Sequence, residues 1–245
     1  MDQGTLVAQL HALGLQRGDT VMVHSSFKSL GIDDPELIIG ALLQALGEMG
    51  TLLMPALSYN QTPPNVHDTL LTPVCVGFLP EYFRRRAGTA RSLHPTHSVC
   101  GVGARVHDWL ADHIEDHTPC GPHSPFYKLL YRGGKILMIG CGLRPNTTMH
   151  AVEEHVRPPY LFGGPCTYTI TDATRRTFTK EYIRHGFLGW RQRYDRIEGL
   201  LSDGALVSGP LGNAQAYLIR AGEMLEAALG RLQADPWYFV ERRDA

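Results

Sequence analysis

The sequence predicts a single α/β domain with a mixed central sheet flanked by helices. Three observations carry this prediction. Helical and extended segments alternate through the first half of the chain in a βαβ rhythm. A pair of period-two segments follows, near residues 166 to 183. No internal repeat, low-complexity tract or linker divides residues 1 to 245.

Taken in order, TLVAQLHALG places apolar residues at helical spacing, and DTVMVHSS is a β-rich run. PELIIGALLQALG opens with proline and closes with glycine, as a helix does, and GTLLMPAL reads as a buried strand. Further on, LPEYFRRR and SPFYKLLYRG read as helices, GKILMIGC as a strand, and TTMHAVEEHV as a helix stopped by Pro158 and Pro159. CTYTITD and RRTFTKEYI alternate like two antiparallel strands joined by a turn. NAQAYLIRAGEMLEAALGRLQ is the longest amphipathic helix candidate.

Composition narrows the partners. The 23 basic and 24 acidic side chains leave a net charge of -1, without the basic footprint that a nucleic acid or an anionic membrane surface requires. A small-molecule partner is expected instead. No run approaches the roughly 18 to 20 apolar residues that span a bilayer, and the first residues lack a signal-peptide pattern, so a cytoplasmic location is expected. The five cysteines are odd in number and widely spaced, which suits reduced thiols rather than a disulfide framework. Nothing in the chain separates a monomer from a homodimer.

Three segments hold candidate chemistry. In VMVHSSFKSLG, His24, Ser25 and Ser26 stand where a strand ends, the usual place for ligand contacts in an open α/β sheet, although turn chemistry alone explains such residues equally well. Neither a phosphate-binding GxxxxGK[ST] nor a complete GxGxxG occurs. In RSLHPTHSVCGVG, His94 and His97 are three apart, and HIEDH holds His113 and His117. A zinc-protease helix needs glutamate directly after its first histidine, and that place holds Ile114. Among 12 histidines no short spacing supplies three ligands, so no metal is expected.

The third segment is NTTMHAVEEH. Thr147 and Thr148 are cap candidates that put His150 in the first turn of a helix, with Glu153 three residues on and nearly on the same face. The positive end of the helix disfavours an imidazolium there, as a general base needs. An ordinary helical histidine paired with Glu153 fits the same residues, and the segment alone leaves both readings open.

The ordered set VHSSFKSLG, GTLLMPALS, HDTLLTPVCVGFLPEYFRR, RSLHPTHS, GPHSPFYKL, GGKILMIG, NTTMHAVEE and GPLGNAQAYLI resembles the antibiotic N-acetyltransferase family, best known through the aminoglycoside 3-N-acetyltransferases. The likeness runs from about the first helix to the last. It implies a fold distinct from the common GNAT acetyltransferases and an acetyl-CoA donor. It further implies donor contacts at His24, Ser25, Ser26, Ser29 and Leu30, and at Arg91, Ser92 and Ser98 on another wall of the same cleft. His150 matches the family's catalytic histidine, with Glu153 beside it and the hydroxyl of Thr148 near the oxyanion. Asp68 matches an aspartate that helps hold a cationic amine.

The chain departs from the family after the hairpin. Where aminoglycoside-modifying members carry acidic residues, one of which orients the histidine, KEYIRHGFLGWRQRYDRIEG offers Arg184 and His185, with Glu181, Asp195 and Glu198 as displaced substitutes. Two acceptors follow: an aminoglycoside-like or amino-sugar amine, or a less cationic amine metabolite acylated in a biosynthetic step. A cysteine acyl-enzyme through Cys100 or Cys141 lacks an adjacent base in the sequence.

Overall fold

The structure, a computed structural model, describes residues 1–243. Helix α1 (Gln3–Ala12) starts at Asp2, whose carboxylate accepts the Thr5 N–H, and is followed by strand β1 (Thr20–Ser25). Helix α2 (Pro35–Leu46) has Pro35 at its first position and Gly47 at its end with φ 65°, as read from the sequence, and Asp34 caps it by accepting the Glu36 N–H. Next come β2 (Thr51–Pro55), the short β3 (Val66–Asp68), α3 (Phe78–Arg85), β4 (Ala90–Arg91), β5 (Val99–Gly103) and α4 (Val106–Leu110). Helix α5 (Pro125–Tyr131), strand β6 (Lys135–Ile139) and helix α6 (Thr148–Val156) precede the hairpin of β7 (Phe162–Thr171) and β8 (Thr177–His185). The chain closes with β9 (Trp190–Gln192), β10 (Leu206–Leu211), β11 (Ala214–Arg220), α7 (Ala221–Ala234) and β12 (Val240–Arg242).

The central sheet runs in the order β10-β11-β6-β1-β2-β5-β4. Strand β1 pairs in parallel with both β2 and β6, and the other neighbours pair antiparallel, so the sheet is mixed as expected. Period-two alternation divides its side chains between two cores. Val21 and Val23 of β1 and Leu137 and Ile139 of β6 pack with α1, α2 and α3, whereas Met22, Ile136 and Met138 pack with α4, α5, α6 and α7. A separate sheet, β3-β7-β8, stands apart from the central one.

The long C-terminal helix expected over 213–233 divides in two. Residues Ala214–Arg220 form β11, hydrogen-bonded antiparallel between β10 and β6, and only Ala221–Ala234 is helical. The reason lies in an ambiguous period. Ala214 and Leu218 are four apart, as on a helix face, but Ala216 shares their core while Ile219 enters the opposite one, which only a strand allows. Strand β5, which the sequence reading did not anticipate, pairs antiparallel with β2.

One glycine sets the edge where the site forms. Gly140 follows β6 with φ +63°, and a Cβ there would fall 1.7 Å from the Ser29 hydroxyl. Its lack of a side chain lets the loop after β1 close against the end of β6.

Candidate active site

A cleft of about 900 Å³ opens at the carboxyl ends of β1, β2 and β6, where open α/β sheets receive ligands. His24 and Ser25 border it from β1, Pro55 and Leu57 from β2, and Cys141 from the end of β6. The start of α6 contributes Asn146, Thr147 and His150, and the facing wall comes from β7 and β8 with Tyr168, Arg184 and His185.

The buried Asn146, rather than a threonine, caps α6. Its side-chain oxygen accepts the Thr148 N–H at 3.1 Å, because Thr147 already has helical dihedrals (φ -61°, ψ -25°) and makes no side-chain cap bond. His150 sits in the first turn as expected. Its Nδ1 lies 3.0 Å from Oε2 of Glu153 and 2.8 Å from the Tyr194 hydroxyl. That hydroxyl donates to the same carboxylate oxygen at 2.6 Å, and the Tyr160 hydroxyl donates to the other at 2.8 Å. Burial and the neighbouring Glu153 charge push the Tyr194 phenol well above its ordinary range, so it remains a donor. With its hydrogen committed to Glu153, the tyrosine oxygen can only accept from Nδ1. Nδ1 therefore carries the ring proton of neutral His150, and Nε2 keeps its lone pair for the cleft.

Two further imidazoles stand beside it. The rings of His150 and His185 are 4.7 Å apart between centroids, those of His97 and His185 5.3 Å. His97 Nδ1 is 2.9 Å from the Thr96 hydroxyl, and His185 Nε2 is 2.7 Å from Oε1 of Glu154. Burial holds His97 and His185 well below the usual histidine range and brings His24 down to about 3. Burial also pushes Glu154 up to about 7, although Thr118 and the Cys120 N–H hydrogen-bond its carboxylate. One ligand atom from each of His97, His150 and His185 lies within 4.8 Å of the others. The fold thus assembles from three distant segments the three-ligand set that no sequence spacing supplied, and among the described residues these are the ones able to hold a metal ion.

Several sequence-derived contacts lie elsewhere. Arg91 is turned into the protein, where it donates to the Ser98 hydroxyl and to the carbonyls of Ala56, Thr69 and Thr72. Ser98 donates to Ala56, and Ser92 accepts the Val99 N–H and meets His113 Nδ1, so all three fasten a loop rather than border the cleft. Thr96 and His97 from the same segment border it instead. Leu30 is fully buried in the core, and the Ser29 hydroxyl donates to the Ser26 carbonyl; neither serine borders the cleft. Thr148 is fully buried, its hydroxyl without a hydrogen-bond partner, and lies behind the residues that border the cleft, among which is its neighbour Thr147. Asp68 is outside the cleft lining, with its carboxylate on Arg175 at 2.6 Å and on the N–H groups of Leu70 and Leu71. Glu181, Asp195 and Glu198 are likewise outside it, and the residue that meets His150 is Glu153.

Of the expected residues, His24, Ser25, His150, Arg184 and His185 border one space, with Glu153 directly behind. Tyr194, Tyr160, Glu154 and Arg144 were missed. Glu154 follows Glu153 in the quoted helix, but nothing local marks the other three.

Residues 22–233 match the family model for aminoglycoside 3-N-acetyltransferases. The chain is 31% identical to aminoglycoside N(3)-acetyltransferase IV of Salmonella sp., over 96% of this chain and 88% of the relative. A solved histidine-to-alanine variant of aminoglycoside acetyltransferase AAC(3)-IVa in complex with a gentamicin has a TM-score of 0.81 at 30% identity, covering 97% and 90% of the two chains. The binary complex of AAC-IIIb with CoASH gives a TM-score of 0.82 at 26% identity, over 96% and 97%. Fold, ordered motifs and these likenesses agree: the chain belongs to the aminoglycoside 3-N-acetyltransferase family and is an N-acetyltransferase.

Proposed function

We propose that this enzyme transfers the acetyl group of acetyl-CoA to an amine of a small molecule, with His150 as general base. The observation that carries this is the clamp on the ring. Glu153 and Tyr194 engage Nδ1, and His150 borders the cleft at the carboxyl edge of the sheet. The acceptor nitrogen attacks the thioester carbonyl carbon and forms the C–N bond. Nε2 of His150 takes the proton, the C–S bond breaks, and the electron pair leaves with the coenzyme A thiolate. Glu153 then faces the imidazolium and stabilises it. The positive amino end of α6, with Thr147 at the cleft, serves the developing oxyanion in place of the buried Thr148.

The donor suits the inner part of the cleft. Ser25 Oγ and His24 Nε2 are buried there without hydrogen-bond partners, while Pro55, Leu57 and Val76 supply apolar surface. An amide-bearing aliphatic arm such as pantetheine satisfies both kinds of surface. Dependence on acetyl-CoA puts the reaction in the cytoplasm, where that metabolite is made.

For the acceptor, kinship favours an aminoglycoside-like or amino-sugar amine. The second reading, a less cationic amine metabolite, is favoured by one observation: among the described residues no aspartate or glutamate borders the cleft. Thiol release from acetyl-CoA, followed across a panel of amines, tests the function. Amine-dependent release that His150→Ala abolishes supports it, and full turnover by that variant refutes the role of His150.

A further inference from the structure

We propose that the acceptor carries an anionic group, a carboxylate or phosphate, beside its reactive amine, and that Arg184, Arg144 and Arg243 receive it. The inference rests on the acetyl-transfer reading and specifies its substrate class.

The charge inventory of the cleft is one-sided. Arg144, Arg184 and Arg243 all border it, and among the described residues no carboxylate does. Among the same residues none of the three guanidinium groups is in an ion pair, whereas Arg193 meets Asp195 and Glu241, and Arg191 meets Glu241. Two of them are held by their Nε atoms alone. Arg144 Nε donates to the Gln192 carbonyl at 2.9 Å and Arg243 Nε to the Trp190 carbonyl at 3.0 Å, which steadies each side chain, and among the described residues the terminal nitrogens of both make no hydrogen bond. Arg184 extends from β8 directly before His185, whose ring packs against that of His150. Arg184, His185 and His150 all border this one cleft.

A polycation entering this space would shed water from several ammonium groups with no carboxylate to replace it, and would face three like charges. An anion meets the reverse situation. A guanidinium offers paired N–H donors that match both oxygens of a carboxylate or phosphate, and a cleft lined by one sign of charge concentrates ligands of the other.

Phosphates of the donor offer the same chemistry as an anionic acceptor, so the experiment separates the two. Wild-type enzyme, Arg184→Gln and Arg144→Gln are assayed by thiol release with gentamicin, glucosamine, glucosamine 6-phosphate and an amino sugar bearing a carboxylate. Each is run with acetyl-CoA and with acetyl-pantetheine, which has no phosphate. Both arginines are exposed, so the variants keep the fold. The expected result is that wild type prefers the anionic amines. Each substitution raises their KM by roughly 10- to 100-fold, the worth of a charge-assisted contact, with either donor and with the KM of acetyl-CoA unchanged. A rise confined to the KM of acetyl-CoA assigns the arginines to the donor and overturns the inference. Preference for gentamicin or glucosamine overturns it too, yet leaves acetyl transfer standing. Absence of release with every amine overturns the transfer reading and this inference with it.

Discussion

Glu153 places a carboxylate oxygen 3.0 Å from Nδ1 of His150, one helical turn away, and that spacing decides which ring nitrogen meets the cleft. The pair is local in sequence, but its second clamp, Tyr194, arrives from 44 residues further along the chain.

The clamp predicts graded losses. His150→Ala removes the base and should lower kcat by about 10² to 10⁴. Glu153→Gln keeps the shape but can hold the ring by its amide N–H in the wrong tautomer, and should cost on the order of 10² in kcat with little change in KM. Tyr194→Phe keeps the carboxylate and should cost less than either. Steady-state kinetics with a working amine checks the order; a Glu153→Gln enzyme as fast as wild type would remove the carboxylate from the mechanism.

Arg91 is predicted to matter for folding and not for the donor. Its guanidinium satisfies three carbonyls and a hydroxyl in a region where water does not replace it. Arg91→Met should destabilise by roughly 3 to 5 kcal/mol, as the loss of a buried charged hub does. Denaturant melts give the stability, and the surviving folded enzyme should bind acetyl-CoA with unchanged KM. A raised KM at unchanged stability contradicts the structural role.

Acid should weaken the fold from near neutrality downward. His24, His67 and His113 are each brought down to about 3, and His94, His97 and His185 well below their usual value, all chiefly by burial. Between the ordinary histidine pKa of about 6.5 and these folded values, the unfolded chain binds protons that the native one refuses. Their contribution is present above pH 6.5 and is lost as pH falls. Asp116 and Glu154 act in the opposite sense, because burial raises them to about 6 and about 7, so their contribution is lost as pH rises. Six groups outweigh two. Tm should fall steadily from pH 7 to pH 5, and His113→Gln should flatten the slope; a constant Tm across this range refutes the account.

The three imidazoles predict sensitivity to zinc. His97 and His185 each have one ring nitrogen engaged by Thr96 and Glu154, and His150 has Nδ1 on Glu153, the outer-shell pattern found around zinc-binding histidines. Zinc–nitrogen bonds of about 2.0–2.1 Å put tetrahedral ligand atoms about 3.3 Å apart, so rings whose atoms now lie within 4.8 Å need a modest closure. Added Zn²⁺ should inhibit by occupying the lone pair of His150, and a chelator should restore activity. His97→Ala should weaken the inhibition by 10-fold or more, and equal sensitivity in that variant excludes the shared site.

Amino-acid order alone specified what depends on neighbours within one helical turn or one strand. Pro35 and Gly47 delimit a helix because their backbone preferences are their own, and His150 meets Glu153 because three residues make nearly a turn. Where two periods agree over a short run, as in AQAYLIR, only pairing with β6 and β10 chose strand over helix. The rest of the site belongs to packing. His185 and Tyr194 come to His150 because the β7–β8 hairpin and the segment after it fold over the carboxyl edge of the central sheet, and His97 reaches it from the loop between β4 and β5. Arg91 and Ser98 turn inward because buried carbonyls there require donors. Contacts across tens of residues are set by which surfaces bury together, and no local spacing encodes them.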